Sequence, residues 1–302
     1  MIQLADMARE ENSLEFNNSV LIIGCGDIGQ RVAKQHLQRG HHIMALARSP
    51  TNAKRLQAQG ISVIEGDLDD PHSLSNVTAF GALVYYFAPP PGEGETDPRM
   101  ENFLAALNGP QPAKLVYLST SGVYGDCKGA WVTEETPVNP QTSRARARLA
   151  AETTLSLWSA SHNIPSVILR VGGIYGPDRL PIERIQQGVP VVRVEECPYT
   201  NRIHADDLTT VCIAAERGTP GAIYNVSDGN PSTMTDYFNA VADYLNLPRP
   251  PQISLAEAQK VLSPGILSYL NESRRMDNRR MLNELGVTLR YPNLEAGLAA
   301  SV

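Results

Sequence analysis

The sequence predicts an α/β fold in which helices cover both faces of a parallel sheet. Three patterns indicate it: short β-branched apolar runs, helical stretches that alternate with those runs, and a Gly-x-Gly-x-x-Gly string that joins the first run to the first helical stretch. Strands that alternate with helices form parallel β-α-β units. We therefore expect a doubly wound parallel sheet with a smaller, partly interleaved C-terminal lobe.

Residues 20–176 carry the regular alternation. Apolar, β-branched runs predict strands at 20–23, 43–47, 61–64, 82–87, 114–119 and 166–170. The segments between them predict helices at 28–37, 50–59, 71–80, 99–107 and 142–162. We expect this part to form one domain, preceded by a loose extension at residues 1–19.

Beyond residue 176 the alternation weakens. Prolines at 177, 181, 190 and 198 divide the chain into short pieces. Helical spacing returns at 205–216, 233–245, 255–262 and 277–285, and an apolar run at 222–226 predicts a late strand. We expect residues 177–302 to form mainly the smaller lobe, with residues 203–226 returning to the sheet.

The composition argues against several classes of protein. The 26 basic and 32 acidic residues give a net charge of −6, whereas nucleic-acid-binding domains usually carry a basic excess. The longest apolar run, 82–88, is far shorter than the roughly 20 residues that span a membrane. Residues 1–19 do not resemble a signal peptide. Four cysteines without a Cys-x-x-Cys disfavour a metal site or disulfide framework and favour the cytoplasm.

The glycine string predicts a dinucleotide site of the Rossmann type. Gly24 would allow the tight turn, Gly26 would let the backbone approach a pyrophosphate, and Gly29 would let helix and strand pack closely. Asp27 and Ile28 complete the string and open the helix, whose N-terminus favours an anion. A glycine-rich turn without a ligand is the alternative.

The end of the second predicted strand points to the kind of dinucleotide. An acidic residue there would bind the adenosine ribose hydroxyls, but this chain has Arg48 and Ser49 followed by proline. Arg48 can face a 2′-phosphate, and Ser49 is a good helix N-cap. We therefore expect NADP to be preferred over NAD. The alternative is a solvated surface arginine.

Several further strings resemble the extended short-chain dehydrogenase/reductases, the group of nucleotide-sugar epimerases and dehydratases. They span residues 20 to about 228 and are Asp67-Leu68, Phe87-Ala88-Pro89, Leu118 to Gly125 (LSTSGVYG), Leu169-Arg170 to Ile174-Tyr175-Gly176-Pro177, Ile203 to Leu208 (IHADDL) and Tyr224-Asn225-Val226. The resemblance implies that Asp67, Leu68, Ala88, Pro89 and Ser119 contact the cofactor and that Thr120 is an active-site hydroxyl. It also implies a substrate in the smaller lobe and a homodimer.

One departure from this family concerns its Tyr-x-x-x-Lys pair. With Glu152 as the reference, Arg144 stands at the tyrosine position and Arg148 at the lysine position. An arginine cannot act as a base near neutral pH. Arg148 can still bind the nicotinamide ribose, and Arg144 and Arg148 share a helix face that suits a phosphate or carboxylate. The alternative is that Glu152 pairs with Arg148 while Arg144 is solvated.

Other residues are candidates for the remaining roles. Tyr124 is the best substitute acid or base, although it could equally contact substrate or pack within its loop. Asp126, Glu134 and His204 are weaker candidates. For substrate binding we consider Arg144 and, from the implied cleft of the smaller lobe, Tyr175, Arg179, Arg193 and Arg202, because arginine suits bidentate phosphate contacts.

Two functions are compatible with these features. The first is an NAD(P)-dependent epimerase, dehydratase or reductase that acts on a nucleotide sugar or a related hydroxyl or carbonyl compound. The second is a catalytically silent protein that binds NADP as a sensor or interaction partner, because the cofactor residues are complete while the usual proton-transfer pair is missing.

Overall fold

The computed structural model describes residues 16–107, 109 and 111–302 and centres on a seven-stranded parallel sheet. Its strands are β1 (Ser19–Ile23), β2 (His42–Ala47), β3 (Ser62–Glu65), β4 (Leu83–Tyr86), β5 (Lys114–Thr120), β6 (Ser166–Val171) and β7 (Ile223–Val226). They are ordered β7-β6-β5-β4-β1-β2-β3, and each neighbouring pair is parallel. The predicted doubly wound sheet is confirmed.

Helices surround this sheet and build the smaller lobe. They are α1 (Asp27–Gln38), α2 (Pro50–Gln57), α3 (Pro98–Ala106), α4 (Ser143–His162), α5 (Ile182–Gln186), α6 (Ala205–Ala214), α7 (Met234–Tyr244), α8 (Leu255–Val261), α9 (Pro264–Leu270), α10 (Arg279–Leu285) and α11 (Leu294–Leu298). Short strand pairs join 131–132 to 275–276, 173–175 to 202–204, 191–192 to 252–253, and 199–200 to 232–233.

The core lies on both faces of the sheet because successive side chains of a strand alternate between faces. Val20 and Ile22 of β1 belong to one core cluster, with α1, α2 and α6. Leu21 and Ile23 belong to the other, with α3 and α4. The β1 side chains on both faces of the sheet are fully buried, as a central parallel strand requires.

The predicted domain boundaries need two corrections. β1 begins at Ser19, and Phe16 packs its ring 5.1 Å from that of His41, so the fold starts before residue 20; residues 1–15 of the predicted extension lie outside the described residues. At the other end, Met281 of α10 and the nearby Val287 are buried in a sheet core cluster. The C-terminal segment therefore returns to the sheet again after β7.

The helix predicted at 71–80 is wrong. Only a short 3₁₀ turn forms, Pro71–Leu74, capped by Asp70. The Ser73 hydroxyl donates to the backbone oxygens of Asp67 and Asp70 and accepts from the Asp67 amide, which ties the chain into a turn. Side chains of this type compete with the helical backbone for hydrogen bonds.

The smaller lobe lies beyond the carboxyl ends of β5 and β6. Its own core includes Tyr237 and Phe238 of α7, with Ile185 of α5 and Leu298 of α11. Among the described residues, no helix is both long and apolar enough to cross a membrane.

Candidate active site

The glycine turn has the geometry that the sequence predicted. Gly24 has a φ of +88°, and a Cβ there would lie 2.4 Å from the Ala88 amide nitrogen. A Cβ on Gly29 would lie 3.0 Å from the Gly24 carbonyl oxygen, whereas one on Gly26 would meet no atom within 4 Å. No side chain caps α1 in the described structure, so its first amides face open space. The turn at residues 24–29 and the first amides of α1, here called the cradle, fit a dinucleotide pyrophosphate.

The adenosine end of this cradle is formed by the loop after β2. Ser49 caps α2 by accepting from the Asn52 amide at 3.3 Å. Arg48 is 68% exposed, and its Nε lies 3.9 Å from Asp67 Oδ2. Asp67 and the buried Leu68 follow β3, as the resemblance implied. The Arg48 guanidinium is thus weakly held and free to turn toward a phosphate.

A second pair of cofactor candidates follows β4. Ala88 is buried beside Gly24, and Pro89 is exposed. Arg99 donates to the Pro89 carbonyl at 3.1 Å and binds both carboxylate oxygens of Asp69. The hydrogen bonds from Arg99 hold the pKa of Asp69 below its usual value. These contacts of Arg99 hold together the loops that follow β3 and β4, next to the cradle.

A cavity of about 640 Å³ lies between the carboxyl ends of β5 and β6 and the smaller lobe. Thr120 and Gly122 line it from β5 and the turn that follows, and Arg144 and Arg148 line it from α4. Thr120 Oγ1 accepts from the Gly122 amide at 3.2 Å, which leaves its hydroxyl hydrogen available to a ligand.

The cavity is strongly cationic. Six arginines line it, and the described lining holds one carboxylate, that of Glu272; the arginines are residues 144, 148, 179, 184, 202 and 274. Three of them stack closely on aromatic rings: Arg144 on Tyr269, Arg184 on Phe238 and Arg202 on Tyr237, at 4.7, 4.8 and 4.3 Å from the ring centroids. Arg148 lies farther from a ring, at 5.9 Å from the centroid of Tyr117.

These three stacked arginines have no carboxylate within 4.0 Å among the described residues. Arg202 is buried, and burial lowers its pKa although nearby groups act in the opposite direction. Its guanidinium donates to Ser232 Oγ at 3.0 Å and to the Thr233 carbonyl. Burying a guanidinium without a counterion is costly, so an anionic ligand would stabilise this arrangement.

Arg148 reaches the carboxyl ends of the central strands β4 and β5, here called the sheet edge, as its predicted cofactor role requires. Its Nη1 donates to the Leu118 carbonyl at 2.9 Å and to the Ala88 carbonyl at 3.4 Å, between the ends of β4 and β5. The same nitrogen lies 3.3 Å from the Tyr117 hydroxyl. The proposed Arg148–Glu152 pair is wrong, because Glu152 binds elsewhere.

Glu152 belongs to a buried network beneath the cavity. It accepts from Ser119 Oγ at 2.5 Å and pairs with Arg170 Nη2 at 2.7 Å. Ser119 is only 5% exposed, so its side chain is turned toward Glu152. The Ser119 side chain is therefore engaged in this network, and the contact of Ser119 with the cofactor stays a prediction.

Tyr124 is not placed to act as the substitute acid or base. Its ring is 1% exposed, packs under the Arg170 guanidinium, and its hydroxyl donates to Asn225 Oδ1 at 2.8 Å. Burial raises the pKa of Tyr124, although Arg170 acts in the opposite direction. The sequence could not show this, because Asn225 comes from β7, far along the chain.

The weaker catalytic candidates also have structural partners. Glu134 accepts from the Asn225 amide at 2.7 Å, and Asp126 accepts from the amides of Lys128 and Ser273. His204 caps α6 by accepting from the Asp206 amide. Among the residues that the structure describes, no three His, Cys, Asp or Glu side chains cluster as metal ligands would.

The predicted substrate residues divide into two groups. Arg144 and Arg202 line the cavity as described above. Tyr175 contributes to its wall but is 1% exposed, and its hydroxyl donates to the Asn293 carbonyl at 3.3 Å. Arg193 does not belong to the lining and lies 3.8 Å from Glu196.

Arg179 links the cavity to the glycine turn. Its Nε donates to Asp27 Oδ2 at 2.7 Å, and Arg31 binds the other oxygen of the same carboxylate. Burial works to raise the pKa of Asp27, but these two arginines outweigh it and lower the pKa. Arg31 also pairs with Asp206 at 2.5 Å. The cradle and the cavity therefore share one chain of ion pairs.

Sequence reasoning missed several cavity residues, among them Arg184, Tyr269, Glu272 and Arg274. Arg274 donates to Glu272 Oε2 at 2.8 Å and to the Gly125 carbonyl at 2.7 Å. No local motif surrounds these residues, and only the packing of the smaller lobe against the sheet brings them to the cavity.

The fold and cradle define a Rossmann-type dinucleotide-binding protein with an arginine-rich cavity beside the cofactor position. The model of the NAD dependent epimerase/dehydratase family matches residues 20–227. The chain belongs to that family, and the resemblance seen in its sequence is confirmed.

Similar proteins agree with this assignment. The uncharacterized protein y4nG of Sinorhizobium fredii is 30% identical over 199 residues, which are 60% of this chain and 50% of that protein. A 4-hydroxy-2-methyl-3-oxo-4-farnesyl-3,4-dihydroquinoline-1-oxide ketoreductase of Stigmatella aurantiaca is 23% identical over 73% of this chain and 71% of that protein. The chain thus spans half the length of the first of these relatives.

Solved structures share the whole architecture. A functionally unknown conserved protein from Silicibacter pomeroyi is 32% identical, with a TM-score of 0.79 over 93% of this chain and 97% of that one. MoeE5 in complex with UDP-glucose and NAD is 21% identical, with a TM-score of 0.73 over 94% of this chain and 97% of that one. At this identity the second likeness shows the fold alone.

Proposed function

We propose that this protein is an NADP-dependent reductase of a carbonyl group on an anionic, phosphate-bearing small molecule. One observation carries the proposal: Thr120 and Arg148, at the sheet edge beside the cofactor cradle, line the same cavity as three arginines that stack on aromatic rings. Similar proteins support the class, since the names of two of them describe a ketoreductase and a 2-alkyl-3-oxoalkanoate reductase.

The cofactor half of the proposal rests on the cradle. Gly24, Gly26 and the amides of α1 would hold the pyrophosphate, and Arg48 would bind the 2′-phosphate that distinguishes NADP from NAD. Arg148, between the ends of β4 and β5, would bind the nicotinamide ribose. When bound, the reduced nicotinamide supplies hydride.

The substrate half of the proposal rests on the positive charge of the cavity arginines. Arg184 and Arg202 both line the cavity, each against a different aromatic ring of α7, and their planar guanidinium groups suit bidentate binding of phosphate. The structure named for UDP-glucose supports a nucleotide diphosphate as one form of such a ligand. We infer that these arginines hold the anionic end of the substrate away from the reacting carbonyl.

The reacting end is placed by Thr120 and by Arg144 and Arg148 of α4. A hydroxyl donor and a fixed cation stabilise the negative charge that develops on a carbonyl oxygen as hydride arrives. Arginine cannot remove a proton from an alcohol near neutral pH, but it can polarise a carbonyl. The residues at this edge thus suit carbonyl reduction.

The test is a screen of purified protein with NADPH and a panel of ketones, including UDP-linked 4-keto sugars, phosphorylated ketoses and 2-alkyl-3-oxo acids. We expect consumption of NADPH with at least one phosphate-bearing ketone and loss of that activity in Thr120→Ala. A control variant, Thr153→Ala on the exposed part of α4, should retain it. Turnover of the 2-alkyl-3-oxo acids alone, which carry no phosphate, would contradict the phosphate-bearing substrate.

A second function, a silent NADP-binding sensor, is favoured by the absence of tyrosine and lysine from the described helix α4. It predicts tight NADPH binding without turnover of any panel member. It also predicts that removing the charge of Arg184 or Arg202 leaves NADPH affinity unaltered, whereas in the reductase the same changes weaken turnover of the anionic ketone.

A further inference from the structure

The proposed reduction needs a group that delivers a proton to the carbonyl oxygen, and the sheet edge offers none. Arg144 and Arg148 are poor acids, and the Thr120 hydroxyl is a weak one. Proton donors that line the cavity all come from outside the sheet edge: the carboxyl of Glu272 and four phenols, those of Tyr175, Tyr199, Tyr237 and Tyr269.

Three of these five groups are engaged or deeply buried. Glu272 is held by Arg274, which donates to its Oε2 at 2.8 Å. The hydroxyl of Tyr175 donates to the Asn293 carbonyl. Burial raises the pKa of Tyr237 to about 12, although Arg202 acts in the opposite direction.

The remaining two phenols, Tyr199 and Tyr269, are exposed at the cavity rim, and each lies against an arginine. Tyr199 lies under Arg275, whose guanidinium is anchored on the Gly129 carbonyl away from the sheet edge. Tyr269 lies 4.7 Å from the guanidinium carbon of Arg144. Arg144 is one helical turn before Arg148 and lines the cavity with it, so Tyr269 is the one of these two phenols that an arginine of α4 holds.

We propose that Tyr269 is the proton donor of this active site. The inference rests on the proposed function. Arg144 orients the ring through this cation–π contact. The side chain is 48% exposed, which gives the phenol access to water.

The step balances as a carbonyl reduction. The carbonyl carbon accepts hydride from the reduced nicotinamide, and the electron pair of the carbonyl π bond moves to the oxygen. That oxygen takes the proton of the Tyr269 hydroxyl and becomes the alcohol. The phenolate then regains a proton from water at the cavity rim, so that one ketone, one NADPH and one proton give one alcohol and one NADP⁺.

The test compares Tyr269→Phe with Tyr199→Phe, using the panel ketone that the wild-type protein reduces fastest. Phenylalanine keeps the ring that packs on Arg144 and removes only the hydroxyl. Because general acids contribute typically 10²–10⁴-fold, we expect kcat of Tyr269→Phe to fall about 100-fold or more while KM changes less than about threefold. Tyr199→Phe should lower kcat far less than Tyr269→Phe does, and Tyr244→Phe, whose exposed phenol lies outside the cavity lining, should match the wild type in both.

A second readout does not depend on turnover. Calorimetry of the cofactor-free protein with that ketone, and separately with NADPH, should give the same affinities for Tyr269→Phe as for the wild type. A loss of ketone affinity with kcat unchanged would assign Tyr269 to recognition and overturn the proposal.

Other outcomes separate this inference from the proposed function. Normal kcat in Tyr269→Phe, or a large loss in Glu272→Gln instead, would overturn the role of Tyr269 while leaving the reductase intact. No turnover of any ketone by a wild-type protein that binds NADPH would overturn both.

Discussion

Arg48 illustrates how much freedom one side chain has at this site. Its guanidinium is exposed and makes a single loose contact of 3.9 Å with Asp67. We predict that Arg48→Ala lowers NADP affinity about 10- to 100-fold, because a charged hydrogen bond contributes about 1.5–3 kcal/mol, and leaves NAD affinity unchanged. Calorimetric titration with both dinucleotides checks this. Equal losses for NADP and NAD would show that Arg48 does not contact the 2′-phosphate.

Arg202 allows a contrasting prediction on the substrate side. Arg202→Met removes a buried charge but keeps the volume, so KM for the anionic ketone should rise about tenfold or more while the free energy of unfolding stays equal or increases. Steady-state kinetics and denaturant unfolding measure the two effects. Arg193→Met, outside the cavity, is the matched control and should change neither. A destabilised Arg202→Met protein would mean that the arginine is structural.

Single residues were predictable where a local motif fixes their environment. Gly24, Gly26 and Gly29 have their predicted geometry because one short turn determines it. Tyr124 and Ser119 also belong to a recognisable string, yet their side chains bind Asn225 and Glu152, which lie on other elements. A motif of neighbouring residues cannot specify such distant partners.

At the scale of elements, the turn from β1 to α1 contains two glycines, Gly24 and Gly26, that we expect to be needed for different reasons. Gly24→Ala should destabilise the protein by about 2 kcal/mol or more, because φ is +88° and the new Cβ would meet the backbone of Ala88. Gly26→Ala should change stability by less than about 0.5 kcal/mol, since its Cβ would meet no protein atom within 4 Å. Chemical denaturation of both variants tests the difference.

Gly26→Ala should nevertheless lower dinucleotide affinity at least about tenfold, because the new methyl group would occupy the space predicted for the pyrophosphate. Unchanged NADPH binding by a folded Gly26→Ala protein would place the pyrophosphate elsewhere.

Long elements with clear termini were predictable from the sequence, whereas only some of the short ones were: the seven-residue helices α8 and α10 were predicted. The helix predicted at 142–162 is α4, Ser143–His162, with Thr142 as its N-cap. α9 and α11, of seven and five residues, were not predicted. Helices this short gain their stability from tertiary packing, such as that of Leu270 in a small core cluster, rather than from local propensity.

At the scale of the whole molecule, Asp228 lies where the sheet meets the smaller lobe. Its amide donates to the Arg202 carbonyl at 2.7 Å, and burial raises the pKa of its carboxyl to about 6, with partial opposition from a backbone hydrogen bond and Arg202. The folded state thus favours the protonated form. Asp228 should stabilise the fold fully below about pH 4, and this contribution should be lost as the pH rises through about 6.

We predict that the stability difference between the wild type and Asp228→Asn shifts by about 2–3 kcal/mol against the wild type between about pH 4 and pH 7. Urea unfolding at a series of pH values measures this difference. A difference that stays constant with pH would show that Asp228 has its ordinary pKa in the fold.

The molecule as a whole places a dinucleotide cradle and an arginine-rich cavity on either side of Arg148 and Thr120. We propose that hydride passes from NADPH to a carbonyl in that cavity. The most direct measurement is a single turnover with NADPH carrying deuterium at the transferred position, followed by mass spectrometry of the alcohol formed. We expect one deuterium at the former carbonyl carbon of a phosphate-bearing ketone. Tight NADPH binding with no deuterium transferred to any ketone of the panel would contradict it.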